Sequence, residues 1–241
     1  SQTQIGQILG VGLWPFAFSI IIFSLIIDKI GYKVAAYFAI GAHTLAVIGT
    51  VLAVANKSAS GLYWSTFLVA IANGTVEAFI NPIVATIYKK EKAKWLNILH
   101  AGWPAGLALG AVAALLLGDV GLTVKFGICL LPVVVYGVLI AKCSFPVQER
   151  VAAGVSFREM LREVGALGFF MIAWLTVMGL VQVANTILAE PISLSVGITL
   201  GISLVFAIAA YVFTGSLGNW MFVVILVTMP FLATTELGTD G

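Results

Sequence analysis

Long apolar runs separated by brief polar stretches recur along the whole chain. They occupy residues 8–27, 34–55, 62–88, 96–117, 122–141, 165–186, 192–213 and 220–235. All but the last reach about 20 residues or more, the length a helix needs to cross roughly 30 Å of hydrocarbon. Strands with open edges are excluded as spans, because hydrocarbon offers no partner for their backbone groups. The pattern therefore predicts an all-α fold, a polytopic transmembrane helical bundle of about eight spans.

The connections are short and polar, apart from one long linker from Lys142 to Glu163. Within it, residues 156–163 read as a short amphipathic helix, with Ser156 as N-cap and Glu159 three positions on. If each run crosses, the basic residues divide unevenly between the two faces. The loops after the first, third and fifth runs hold Lys29, Lys33, Lys89, Lys90, Lys92, Lys94, Lys142, Arg150, Arg158 and Arg162. The opposite face keeps only Lys57 and Lys125 of the 12 basic residues. The positive-inside rule assigns the richer face to the cytoplasm. One missed span among the first five would scramble this asymmetry, whereas the loops near Glu190 and Gly215 carry no basic residue and do not test the later spans.

Composition strengthens the membrane reading. The chain is 61% hydrophobic and 9% charged, with a mean hydropathy of +1.12, whereas a soluble domain carries about 25% charged residues. So little charge could not cover a surface in water, and the expected partner of this surface is the lipid bilayer. The net charge of +2 comes without a basic patch interleaved with aromatics, so nucleic acid is not implied. Cys129 and Cys143 lack metal-ligand spacing and read as small apolar core residues, with no disulfide expected on the cytoplasmic side. The chain starts at Ser1 without a basic segment or cleavage site before the first run, so it reads as a piece of a longer protein without a signal peptide. His-Glu-x-x-His, Gly-x-Ser-x-Gly, phosphate-loop and zinc-spaced Cys motifs are missing, so no cofactor or metal is implied and the expectation is not an enzyme.

Three stretches carry candidate chemistry. The first is the turn after the opening run, with Asp28, Lys29, Gly31 and Lys33. Gly31 admits backbone conformations that a Cβ resists, and Asp28 suits a neighbouring helix N-terminus; the plain alternative is an ordinary charged loop. The second is residues 73–82, where Asn73, Glu77 and Asn81 fall four apart on one helix face, near the middle of the third run. A carboxyl at that depth is expensive and usually faces a cavity or the bundle interior. A buried carboxyl holds its proton more tightly than an exposed one, which makes Glu77 the candidate for binding and releasing a proton. The alternative is a permanent bond to a neighbouring helix. Pro82 is expected to bend the helix beside it.

The third stretch is residues 97–110. Gly102, Gly106 and Gly110 repeat every four residues, which lets another helix approach closely, and Pro104 can open the hydrogen-bond ladder. Trp103 offers a flat face for stacking on a sugar ring or, equally, an interface anchor; His100 reads as a cytoplasmic gate or a structural hydrogen bonder. His43, in the second run, either joins a proton relay with Glu77 or donates to a neighbouring helix. Gln182 and Asn185 read as interhelical hydrogen bonders, and Glu236 and Asp240 as part of a site or a polar exit.

At these residues the chain resembles the major facilitator superfamily. Asp28, Lys29, Gly31 and Lys33 fit the family signature between its second and third helices, with Ser24 and Tyr32 in place of a glycine and an arginine. Glu77, Asn81 and Pro82, together with Leu96 and Asn97 at the entry to the next run, are similar to the fucose:proton symporter branch and its sugar-transporting relatives. That resemblance implies proton coupling by Glu77 and a gating loop at residues 28–33; the residues themselves add His43 as a candidate companion of Glu77 and Asn73, Asn81, Trp103, His100 and Asn97 as candidates for the solute path. The resemblance further implies that residues 1–143 hold family helices two to six and 144–163 a cytoplasmic linker. Residues 164–218 would then hold two additional helices, and 219–241 the start of a C-terminal bundle. The first family helix and the rest of that bundle would lie in the remainder of a full-length chain.

The resulting expectation is a secondary transporter in a membrane of bacterial inner-membrane type, moving a small polar solute, a sugar by the resemblance, by proton-coupled alternating access. The competing reading is a non-transporting receptor or assembly subunit with a transporter-like fold. A water-accessible cavity reaching Glu77 separates the two.

Overall fold

The computed structural model describes residues 2–187, 192–225 and 228. Among them the structure is all-α, with no strand. It divides into two compact units, Ser1–Ala152 and Ala153–Gly241.

The first unit is built around α2 (Trp14–Ala55) and α3 (Ala59–Ile87), its most extensive pairing. Helix α1 (Gln2–Gly10) precedes them. The opening apolar run is expected as one helix but is interrupted between α1 and α2. Gly10 and Gly12 lower the cost of a break, and Pro15 cannot donate to the carbonyl four residues back. The ladder there tightens instead, with Gly12 N donating to Leu9 O at 3.0 Å and Leu13 N to Gly10 O at 3.2 Å.

Helix α2 is two arms joined at Gly31, whose φ of 77° and ψ of 158° lie outside the helical region. The break falls in the polar turn that separates the first two apolar runs. The second arm buries Ala35, Ala36, Ala39, Ala42 and Ala46, a stripe of small side chains that lets the backbones come close. Ile27, Tyr32, Phe79 and Ile83 complete the buried cluster between the two helices. The first arm approaches α3 just as closely: Gly74 sits against the carbonyl of Phe16 and the side chain of Ser19, where a Cβ would collide. Ser19 Oγ donates to Ile71 O at 2.7 Å and lies 3.1 Å from Thr75 Oγ1, so the polar groups at this crossing are paired.

Helix α4 (Lys92–Leu116) follows, then α5 (Leu122–Gly127), α6 (Leu130–Lys142) and the single turn α7 (Glu149–Ala152). The fifth apolar run is likewise interrupted, between α5 and α6, where Pro132 removes a donor and its ring opposes the carbonyl of Ile128. Pro82 and Pro104, by contrast, sit inside α3 and α4 without ending either helix.

In the second unit, α8 (Phe157–Ile187) and α9 (Val196–Thr214) pack together. The capping box expected at its start is formed: Glu159 N donates to Ser156 Oγ at 3.2 Å and Ser156 N to Glu159 Oε2 at 2.7 Å. Those bonds from Ser156 hold the exposed Glu159 carboxyl below its usual range. A kink at Gly165, with φ of 56°, separates this amphipathic turn from the apolar run. Residues 216–219 pair with the backbone released there: Ala166 N donates to Ser216 O at 3.0 Å and Asn219 N to Glu163 O at 2.8 Å. Helix α9 is capped by Ser195 and ended by Gly215 in the left-handed region. Asn185 does not bridge helices; it bonds both backbone groups of Ile192 and so closes the α8–α9 connection. The side chain of Gln182, most of the run 220–235, and Glu236 and Asp240 lie outside the described residues.

Six helical stretches of the described residues are long and apolar enough to cross a membrane. The first, Ile5–Ala55, is 51 residues long and includes both arms of α2, so it accounts for two of the expected spans. Large apolar side chains such as Leu115 (80% exposed) and Leu116 (83% exposed) cover the outside, the inverse of a water-soluble surface.

Candidate functional site

Helices α2, α3, α4 and α6 of the first unit surround a cavity of about 790 Å³. Its polar lining comes from His43 on α2, Asn73 and Glu77 on α3, Trp103 on α4 and Tyr136 on α6. Val76, Ile80, Leu107, Leu139 and Ile140 supply most of the apolar wall. Asn73 and Glu77 point the same way because they are one turn apart on α3. Gly102 and Gly106 widen the cavity, since a glycine leaves space where a side chain would stand.

Two hydrogen-bonded groups occupy this region. In one, His43 Nδ1 lies 2.6 Å from Tyr136 Oη and His43 Nε2 lies 2.9 Å from Asn73 Oδ1, tying α6, α2 and α3 together. The imidazole and phenol rings are nearly perpendicular, at 86°, with centroids 5.8 Å apart. In the other, Glu77 Oε1 accepts from Asn81 Nδ2 at 3.2 Å and lies 3.7 Å from His100 Nδ1, an ion pair when the imidazole is protonated. The Glu77 side chain is 26% exposed, so it has partners and an opening at once.

The structure thus brings His43, Asn73, Glu77 and Trp103 to one cavity, with Asn81 and His100 adjoining it through Glu77. The bonds of His43 go to Tyr136 and Asn73; those of Glu77 go to Asn81 and His100. Asn97 is exposed on α4 and is not among the lining residues. Trp103 is 56% exposed and packs edge-on against Phe16, with ring centroids 5.5 Å apart.

Other expectations are corrected. Gly102, Gly106 and Gly110 face open space instead of a close helix, and α4 buries none of its residues. Cys129 and Cys143 are exposed and unbridged, not core residues; Cys143 lines the cavity. Tyr136, which reads in the sequence as one more aromatic in an apolar run, is the lining residue that no motif marked.

The turn at residues 28–33 forms a separate polar cluster. Asp28 Oδ1 meets Arg150 Nη2 of α7 at 3.2 Å, so its partner is a guanidinium and not a helix terminus. Next to Arg150, Glu149 pairs with Lys92 at 3.3 Å and Lys89 at 3.8 Å, linking the turn to the α3–α4 loop. Lys29 and Lys33 are exposed. Among the described residues, no group of acidic, His or Cys side chains is arranged to hold a metal ion.

The family model of the Major Facilitator Superfamily matches residues 1–238. No curated protein and no solved structure matches the chain.

Proposed function

Because the chain belongs to the major facilitator superfamily, and is therefore an integral membrane protein of the secondary-transporter class, we propose that it carries a small polar solute, a sugar by class, together with protons by alternating access. Glu77 is the proton-coupling carboxyl and His43 its companion. Asn73, Asn81, Trp103, His100 and Asn97 contribute to the solute path, and residues 28–33 form the gating loop. Residues 1–143 would hold family helices two to six, 144–163 a cytoplasmic linker, 164–218 two additional helices, and 219–241 the start of the other bundle. The host membrane would be a bacterial inner membrane.

The observation that carries this reading is the setting of Glu77. Its carboxyl opens to a cavity of about 790 Å³ while an amide and an imidazole lie against it. A carboxyl that exchanges partners can trade a proton for an ion pair: charged beside a protonated His100, neutral when the imidazole withdraws. Coupling of this kind needs two carboxyl states of similar energy, which an acid buried against one fixed partner lacks. Asn73 and Trp103 supply a hydrogen-bonding group and a flat face, the combination that recognises a hydroxylated ring.

The test is uptake of labelled sugars by the full-length protein in proteoliposomes across an imposed pH gradient. Glu77→Gln is expected to abolish pH-driven accumulation while counterflow exchange persists. Unchanged accumulation by this variant would remove Glu77 from the mechanism.

A further inference from the structure

Tyr136 stands on α6 with its hydroxyl 2.6 Å from His43 Nδ1, while Nε2 of the same ring is 2.9 Å from Asn73 Oδ1. An amide oxygen can only accept, so the Asn73 contact is a hydrogen bond when Nε2 carries the hydrogen. In the uncharged ring Nδ1 then holds a lone pair, and the Tyr136 O–H donates to it. The one atom of His43 that can gain a proton is therefore covered by a phenol. For that proton to arrive, the hydroxyl must rotate about its C–O bond and become the acceptor. The arrangement also fixes Asn73: with Oδ1 committed to His43, its amide nitrogen is left without a hydrogen bond among the described residues and is available to an acceptor oxygen in the cavity. The other titratable groups around the cavity are Glu77 on α3, His100 on α4 and Cys143 after α6, and none of them is hydrogen-bonded to His43.

We propose that Tyr136 is a positioning residue of the transport site: it holds His43 as the Nε2–H tautomer, turns the Asn73 amide nitrogen toward the solute, and governs proton entry at Nδ1. The consequence for transport rests on the proton-coupled reading above; the tautomer itself does not. Without the hydroxyl, the Nδ1–H form becomes available. An unprotonated Nε2 would then force the Asn73 amide to flip, presenting an acceptor to the cavity where there had been a donor. Tyr136 would thus set the polarity of one solute contact from a neighbouring helix.

The experiment is nitrogen NMR of the full-length protein with labelled histidine rings, the His43 signals being assigned by their loss in His43→Gln. The expected spectrum at neutral pH has a protonated Nε2 and a hydrogen-bonded, unprotonated Nδ1. Tyr136→Phe, which keeps the ring packing, is expected to lose that single form to a mixture of tautomers and to displace the pH profile of uptake. A protonated Nδ1 in the unaltered protein, or a Tyr136→Phe spectrum identical to it, overturns the proposal. Glu77→Gln is expected to leave the His43 signals in place. If that variant also accumulates solute normally, the transport reading fails while the tautomer assignment stands.

Discussion

A carboxyl among apolar helices is the residue on which the functional account turns. Placing an acidic side chain at the centre of a membrane helix costs about 2.5–3.5 kcal/mol on insertion scales. Glu77 meets that cost with Asn81, His100 and an opening to the cavity. Its place inside α3 and its four-residue spacing from Asn73 and Asn81 were readable in the sequence, because charge is conspicuous in an apolar run. The role of Tyr136 was not, since a phenol in a hydrophobic segment is indistinguishable from core packing until its hydroxyl is seen at an imidazole. A second residue-scale prediction concerns Gly31. Its φ of 77° and ψ of 158° belong to a region that essentially only glycine occupies. Gly31→Ala should therefore lower stability by about 1–3 kcal/mol, read as a drop in the thermal midpoint of purified protein. An unchanged midpoint would mean that the turn can be rebuilt without that conformation.

At the scale of elements, apolar length located the helices well and their interruptions poorly. Pro15 and Pro132 coincide with breaks, yet Pro82 and Pro104 are carried inside continuous helices. Neighbouring glycines do not separate the two pairs, since Pro104 lies between Gly102 and Gly106 and its helix continues. Sequence spacing alone assigns a close neighbour to the Gly102–Gly106–Gly110 stripe, whereas the glycines packed tightly against a neighbour in this unit are Gly49, Gly61 and, most closely, Gly74. Gly74→Leu should force α2 and α3 apart at Phe16 and Ser19, costing about 1–3 kcal/mol or more, with a matching fall in folded yield; a variant of normal stability would contradict the packing.

The capping box at α8 was legible because Ser and Glu three residues apart are a local signal. Since Glu159 titrates below its usual range, its contribution to the helix start is present above the ordinary carboxylate range and is lost as pH falls through the depressed value. Amide protection factors at residues 157–160, taken relative to the intrinsic exchange rate at each pH, should consequently fall on acidification in that lower window, and Glu159→Gln should remove most of that pH dependence.

On the scale of the whole molecule, the all-α class follows from a simple constraint: a surface this apolar must meet hydrocarbon, and helices satisfy their own backbone there. The family match over residues 1–238 agrees with that physical reading and with the signature at Asp28, Lys29, Gly31 and Lys33. What composition and periodicity leave open is where a polar solute would enter, because an interior path depends on which faces of four helices meet. In this unit those faces bring Asn73, Glu77 and Trp103 to one open cavity, and a transport path requires that water reach them.

Water access can be measured in a protein carrying Cys129→Ser and Cys143→Ser, by adding Ile80→Cys and applying a hydrophilic, membrane-impermeant thiol reagent from each side of the bilayer. Ile80 lines the cavity within one turn of Glu77, whereas Leu45, 63% exposed on α2 and not among the lining residues, provides the lipid-facing control as Leu45→Cys. Modification is expected at position 80 from at least one side and at position 45 from neither. Equal silence at both positions from both sides would mean that no aqueous path reaches the acid, and would contradict the transport account.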